Sequence, residues 1–135
     1  MLIVDTNVIA YLLIQGDYTA AARSLHRRDH DWRSEVFVMV EFTNVLTVSI
    51  AARRMDFVLA QRFLAHATSL LRGKLTSIPH DSALSVAVQY RVTAYDARFL
   101  ALAQQLDRRL VTEDTKLRAA APRLTQSLAE ALAMV

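Results

Sequence analysis

The sequence predicts an α/β domain in which a short central parallel sheet is flanked by helices on both faces. Three observations predict it. Short apolar runs at Leu2 to Val4, Leu75 to Ile78 and Arg109 to Thr112 read as strands. Longer segments with helical periodicity separate them, as parallel strands joined by crossover helices require. A chain of 135 residues with 53% apolar residues, two Gly and two Pro is the size and composition of one ordered domain spanning 1-135.

The first strand ends on Asp5-Thr6-Asn7, and Val8 to Leu13 then suits a short helix stopped at Gly16-Asp17. Asp17 is expected to cap a second helix with Tyr18, Ala21, Ala22 and Leu25 on its inner face. Ser34 is expected to cap a long helix from Glu35 to Arg54, although Val36 to Val40 would by propensity suit a strand. Length decides for a helix, and one apolar on nearly every side should be central and buried. Asp56 caps the next helix through Leu71, with Gly73 as its stop. Asp81 can start a helix to Tyr90, Ala94 to Leu106 forms another, Asp114 caps a turn running to Ala121, and Ser127 to Met134 is the last helix.

Composition excludes several functions. The absence of cysteine removes disulfides, thiolate metal sites and thiol redox chemistry, and fits a reducing cytoplasm. No apolar run approaches the roughly 20 residues that span a bilayer, and no basic stretch precedes an apolar one at the start. Cytoplasmic placement without membrane contact is therefore expected. The four histidines, at 26, 30, 66 and 80, lack zinc-ligand spacing, and there is no Gly-rich phosphate loop and no Ser or Cys nucleophile motif. Net charge is +3 from 16 basic and 13 acidic residues; if a cation neutralised four carboxylates, the remaining excess of +7 would suit a polyanion.

Four carboxylates stand out. Asp5 and Asp114 follow strands, where open parallel sheets collect ligands, although either could be a helix N-cap. Glu41 interrupts an apolar run and shares a helix face with Asn44, the alternative being a solvent-facing stripe with Asn44 and Thr47. Asp96 leads Phe99, Leu100 and Ala103 on an apolar helix face, and a simple cap would also sit near a helix start. Brought together, four such groups would raise one another's pKa and call for a cation. Oxygen-only ligands select a hard ion such as Mg²⁺ or Mn²⁺, which keeps several waters and leaves positions open for a phosphate.

At these residues the sequence resembles the PIN-domain family, and most of all the VapC-type toxins of bacterial and archaeal toxin–antitoxin pairs. The resemblance rests on Val4-Asp5-Thr6-Asn7, on Glu41 to Leu46, on Tyr95 to Ala103 and on Leu110 to Asp114, in the family's order and spacing. It implies a metal-dependent endoribonuclease that arrests translation, held inactive by a cognate antitoxin, and commonly a homodimer. It also implies catalysis and metal binding by Asp5, Glu41, Asp96 and Asp114, with Thr6, Asn7 and Thr112 at the family's supporting positions; Asn44, on the helix face of Glu41, and Glu113, beside the fourth acid, are expected to support them as well. Glu113 and Asp114 are adjacent, so either can be the fourth ligand. Phe99 stands where many relatives have Tyr, and Asp107-Arg108 where a Gly-containing turn is common.

Two other classes compete with this reading, and the intact quartet of acids speaks against the first. One is a non-catalytic module that uses the same fold to bind RNA or protein. The other is a phosphotransfer or receiver domain, which Asn7 and the lack of a second acid beside Asp5 disfavour.

Overall fold

A computed structural model of the chain describes residues 1–134. Five strands, β1 (Leu2–Val4), β2 (Trp32–Glu35), β3 (Leu75–Thr76), β4 (Leu110–Val111) and β5 (Thr125–Gln126), form one parallel sheet in the order β3-β2-β1-β4-β5. The chain winds outward from β1 to β3, then restarts on the other side of β1 with β4. The resulting topological switch point lies between β1 and β4, at whose carboxyl ends such sheets form their ligand crevices. Between the strands run α1 (Thr6–Leu13), α2 (Thr19–Arg28), α3 (Phe37–Ala51), α4 (Phe57–Leu70), α5 (His80–Tyr90), α6 (Ala94–Gln105), α7 (Thr115–Ala120) and α8 (Leu128–Ala133). No described helix is long and apolar enough to cross a membrane.

Local signals hold where the expected caps engage backbone. Asp56 Oδ1 accepts from Leu59 N at 2.8 Å, Asp114 Oδ1 from Leu117 N at 3.0 Å, and Ser127 with Glu130 forms a reciprocal capping box. Gly73 takes a φ of +74°, the left-handed conformation expected of a helix stop.

Several expectations need correction. Ser34 caps nothing: it lies within β2, where its Oγ donates to Val4 O at 2.7 Å. The expected helix from Glu35 therefore starts two residues later, because pairing with β1 and β3 holds the chain extended through Glu35. Asp17 is not the α2 cap; Thr19 organises that turn, with its hydroxyl accepting from Gly16 N and donating to Ile14 O. Asp81 sits in the first turn of α5, behind Pro79, which occupies the cap position. The strands β2 and β5 are additions, both short and partly polar, so that pairing rather than composition makes them strands.

The central helix is also a different one. In α3 only Val38, Phe42 and Leu46 are buried, one residue per turn, while Val40 and Val48 remain 61% and 54% exposed. The helix buried on nearly all sides is α6, where Ala97, Phe99, Leu100, Ala101, Leu102 and Ala103 lie inside. Its alanines let α5, β1, β2 and β4 approach closely.

The end of α6 gives a first prediction. Asp107 N bonds to Gln104 O and Arg108 N to Ala103 O, the paired bonds of a left-handed helix stop, with Asp107 at a φ of 53°. A residue with a Cβ is strained there by about 1–2 kcal/mol, whereas glycine is not, though glycine has more unfolded entropy to lose. Asp107→Gly should raise unfolding free energy by roughly 0.5–1 kcal/mol. A lower denaturation midpoint in urea would refute it.

Candidate active site

Asp5 follows β1 directly and is the N-cap of α1, its Oδ1 accepting from Val8 N at 3.1 Å. Asp114 caps α7 in the same way beyond β4. Capping and a place in the site are thus compatible: a cap bond engages one carboxylate oxygen and leaves the other. Asp96 is no cap, since Thr93 Oγ1 takes that role and accepts from Asp96 N at 3.0 Å, which leaves the Asp96 carboxylate out of the capping bond. Glu41 projects from the second turn of α3, and the Thr6 hydroxyl donates to its Oε1 at 2.6 Å.

These four carboxylates line one cavity of about 510 Å³, together with Thr6, Asn7, Phe37, Val40, Asn44, Tyr95 and Phe99. Burial pushes the Asp5 carboxyl up to about 6, against hydrogen bonds from Thr112 and the Val8 backbone, with the charges of Glu41 and Asp96 adding to the rise. Asp96 is raised as well, first by burial and then by the charges of Asp114 and Glu41. Asp5 and Asp96 thus each feel two of the other acids electrostatically.

Of the supporting residues, Thr112 is buried between Asp5 and Asp114, and its Oγ1 accepts from Asp114 N at 3.1 Å. Asn7 and Asn44 are exposed on the rim of the cavity. Glu113 turns the other way: its carboxylate accepts from Arg118 Nη1 at 3.1 Å and Leu128 N at 3.2 Å, which ties α7 to α8. It is absent from the cavity lining, whereas Asp114 is part of it.

An all-oxygen donor set of carboxylates suits a hard divalent ion, and a buried acid raised beside two others is a place where a cation would offset repulsion. The four acids surround the cavity without forming a closed cage. Among the described residues, no group of three or more His or acidic side chains converges closely enough to hold a metal ion by itself.

Sequence reasoning missed Glu35. It is fully buried at the end of β2 and accepts from Phe37 N at 2.6 Å, Ile78 N at 2.8 Å and Arg98 Nη1 at 3.0 Å. Arg98 also donates to Ile78 O at 2.9 Å. This pair fixes the start of α3 against α6, and so sets Phe37 and Tyr95 at the cavity mouth. A polar residue inside an unrecognised strand gave no local signal.

The fold has a solved counterpart. The chain is similar to the crystal structure of PAE2754 from Pyrobaculum aerophilum, with a TM-score of 0.78 and 24% identity over 97% of this chain and 92% of that one. At that identity the likeness speaks for the fold. No curated protein matches the sequence. The PIN domain family matches residues 2–122, which takes in β1, β4 and all four cavity carboxylates. The family is generally one of nuclease-type domains that use divalent metals. On that match, joined to a five-stranded parallel sheet with its acids gathered at the switch point, the chain belongs to the PIN domain family.

Proposed function

We propose that the protein is a Mg²⁺-dependent endoribonuclease, with Mn²⁺ as a substitute, and that it serves as the toxin of a VapC-type toxin–antitoxin pair. The observation that supports the reading is the single cavity shared by Asp5, Glu41, Asp96 and Asp114. These carboxylates would hold the ion. When bound, such an ion supplies Lewis acidity to the phosphodiester and makes water a competent nucleophile near neutral pH. Thr6 orients Glu41, Thr112 supports Asp5 and the Asp114 backbone, and Asn7 and Asn44 offer amide groups at the rim.

Cleavage of RNA should need Mg²⁺ or Mn²⁺, stop with chelator, and fall by roughly 100-fold or more in Asp96→Asn, the scale on which one group stabilising a transition state is lost. Products should carry 5′-phosphate and 3′-hydroxyl ends. Cyclic phosphate ends would show that the RNA 2′-hydroxyl attacks, and full activity in chelator would end the metal-dependent reading.

The toxin role adds a partner. The exposed valines of α3 and Phe57 and Val58 of α4 leave apolar surface for a cognate antitoxin or a second copy of the chain. An antitoxin would place a basic side chain among the carboxylates in place of the ion. A tight complex with the product of the adjacent gene that left cleavage at full rate would contradict inhibition.

The open spacing of the acids favours a second reading, a PIN-fold module that binds RNA or protein without cutting. Calorimetry separates the two, because that module would show no Mg²⁺ binding sensitive to Asp96→Asn.

A further inference from the structure

Beside the carboxylate cavity lies a second one, of about 440 Å³, and the two share Phe37, Val40 and Tyr95 as a common wall. Phe37 and Tyr95 are stacked, with ring centroids 5.3 Å apart and planes within 7°. Phe37 covers one face of the tyrosine ring, yet Tyr95 remains 60% exposed. A large aromatic ring left so open, one residue before a site carboxylate, has no packing role that accounts for it.

The chemistry of the two cavities differs. The first is ringed by acids. In the second, the only charged pair is Glu35 with Arg98, and its charges cancel while its hydrogen bonds are spent on each other, on backbone and on His80. Its remaining lining is mostly apolar, from Val36 and Val40 to Ala94, with the Ser77 hydroxyl and the His80 ring as further hydrogen-bonding groups. Such a cavity does not select a phosphate. It suits a flat, uncharged group with a hydrogen-bonding edge.

We infer that the second cavity receives an unpaired base of a single-stranded RNA, the base next to the phosphodiester held at the carboxylates, and that the base extends the Phe37–Tyr95 stack. The inference rests on the ribonuclease reading for the placement of the phosphodiester. Base stacking on an aromatic side chain is tolerant of sequence, and a base held in a duplex cannot leave its neighbours to enter without the cost of unstacking. The wall between the cavities thereby selects unpaired RNA before any base edge is read.

The test uses the full chain carrying Asp5→Asn, so that RNA is bound without being cut, and a short oligoadenylate with a central 2-aminopurine as probe. In this background the single strand should bind with quenched fluorescence and more tightly than its duplex. Adding Tyr95→Ala should weaken single-strand binding by roughly 5- to 150-fold, the range for loss of one stacked base. Tyr95→Phe should restore it to within about twofold, since stacking needs only the ring. Tyr95 is exposed, so neither change threatens folding. The inference is overturned if the oligonucleotide fails to bind, if its fluorescence is not quenched, if Tyr95→Ala binds as tightly as its parent, or if Tyr95→Phe is as weak as Tyr95→Ala. Failure of the nuclease reading looks different: the wild type would cut no RNA while the binding pattern in the Asp5→Asn background stayed intact.

Discussion

Glu35→Ala should destabilise the protein by about 3–5 kcal/mol, the usual cost of removing one member of a buried ion pair. The carboxylate is fully buried and accepts two backbone N–H groups besides the Arg98 guanidinium, whose side chain is 16% exposed. Its loss strands three donors, one of them charged, with little water to replace it. Arg98→Met alone should cost less, because Glu35 keeps its two backbone donors. The double variant should fall well short of the sum, since the second change removes the charge that the first left unpaired. Urea denaturation of the four proteins measures the coupling. Additive losses, or a Glu35→Ala protein within about 1 kcal/mol of wild type, would mean that the pair is of the weakly stabilising exposed kind.

Asp5→Asn should make the metal-free protein more stable near neutral pH by about 3 kcal/mol, where most changes at buried positions do the reverse. The carboxyl has a model value of 3.8 and is pushed up to about 6 in the fold, chiefly by burial. An asparagine keeps the cap on Val8 N and carries no charge. The sign follows from linkage. Between about pH 4 and 6 the native state holds a proton that the unfolded chain has released, so wild-type stability should fall as pH rises through that window. Asp96, raised for the same reasons, adds to the fall. Asp31, which hydrogen bonds from Lys74 and Arg33 hold down at about 2, works in the opposite direction at lower pH, and His26, lowered chiefly by burial, opposes the fall toward the upper end of the window. In chelator, Asp5→Asn should lack most of this slope. Saturating Mg²⁺ should return about 2.7 kcal/mol to the wild type at a hundredfold excess over its Kd, and much less to the variant. A wild-type stability that is flat from pH 4 to 7 in chelator, with Asp5→Asn the less stable protein, would show that the carboxyl is ionised at no cost.

The two stability predictions bear on function in different ways. Glu35 acts through others, by holding α3 and α6 in the relation that shapes both cavities. Asp5 would meet the proposed ion itself, and its cost to the empty protein is the expected companion of a charged site built into a buried crevice.

The sequence by itself determined the fold class and most helix ends, and it singled out four acids that share one cavity. Caps and stops such as Asp56, Gly73, Asp114 and Ser127 act within a few residues, so they can be read locally. The acids were legible because Asp5 and Asp114 follow strands, Glu41 interrupts an apolar run and Asp96 leads an apolar helix face. Tertiary structure alone decided the rest. Trp32 to Glu35 becomes a strand because β1 and β3 pair with it on both sides, and no periodicity in four mixed residues announces that. The same pairing cuts short the helix expected from Glu35. Which helix lies at the centre depends on how closely neighbours can approach, and the alanines of α6 permit what the bulky valines of α3 do not. Glu113 and Asp114 are chemically alike in sequence, yet Asp114 must turn back to cap α7 while Glu113 reaches Arg118 and α8. The stacking of Phe37 on Tyr95, and the buried pairing of Glu35 with Arg98, join residues from α3 and β2 to α6. Such contacts are long-range products of packing, and packing is what a linear pattern does not specify.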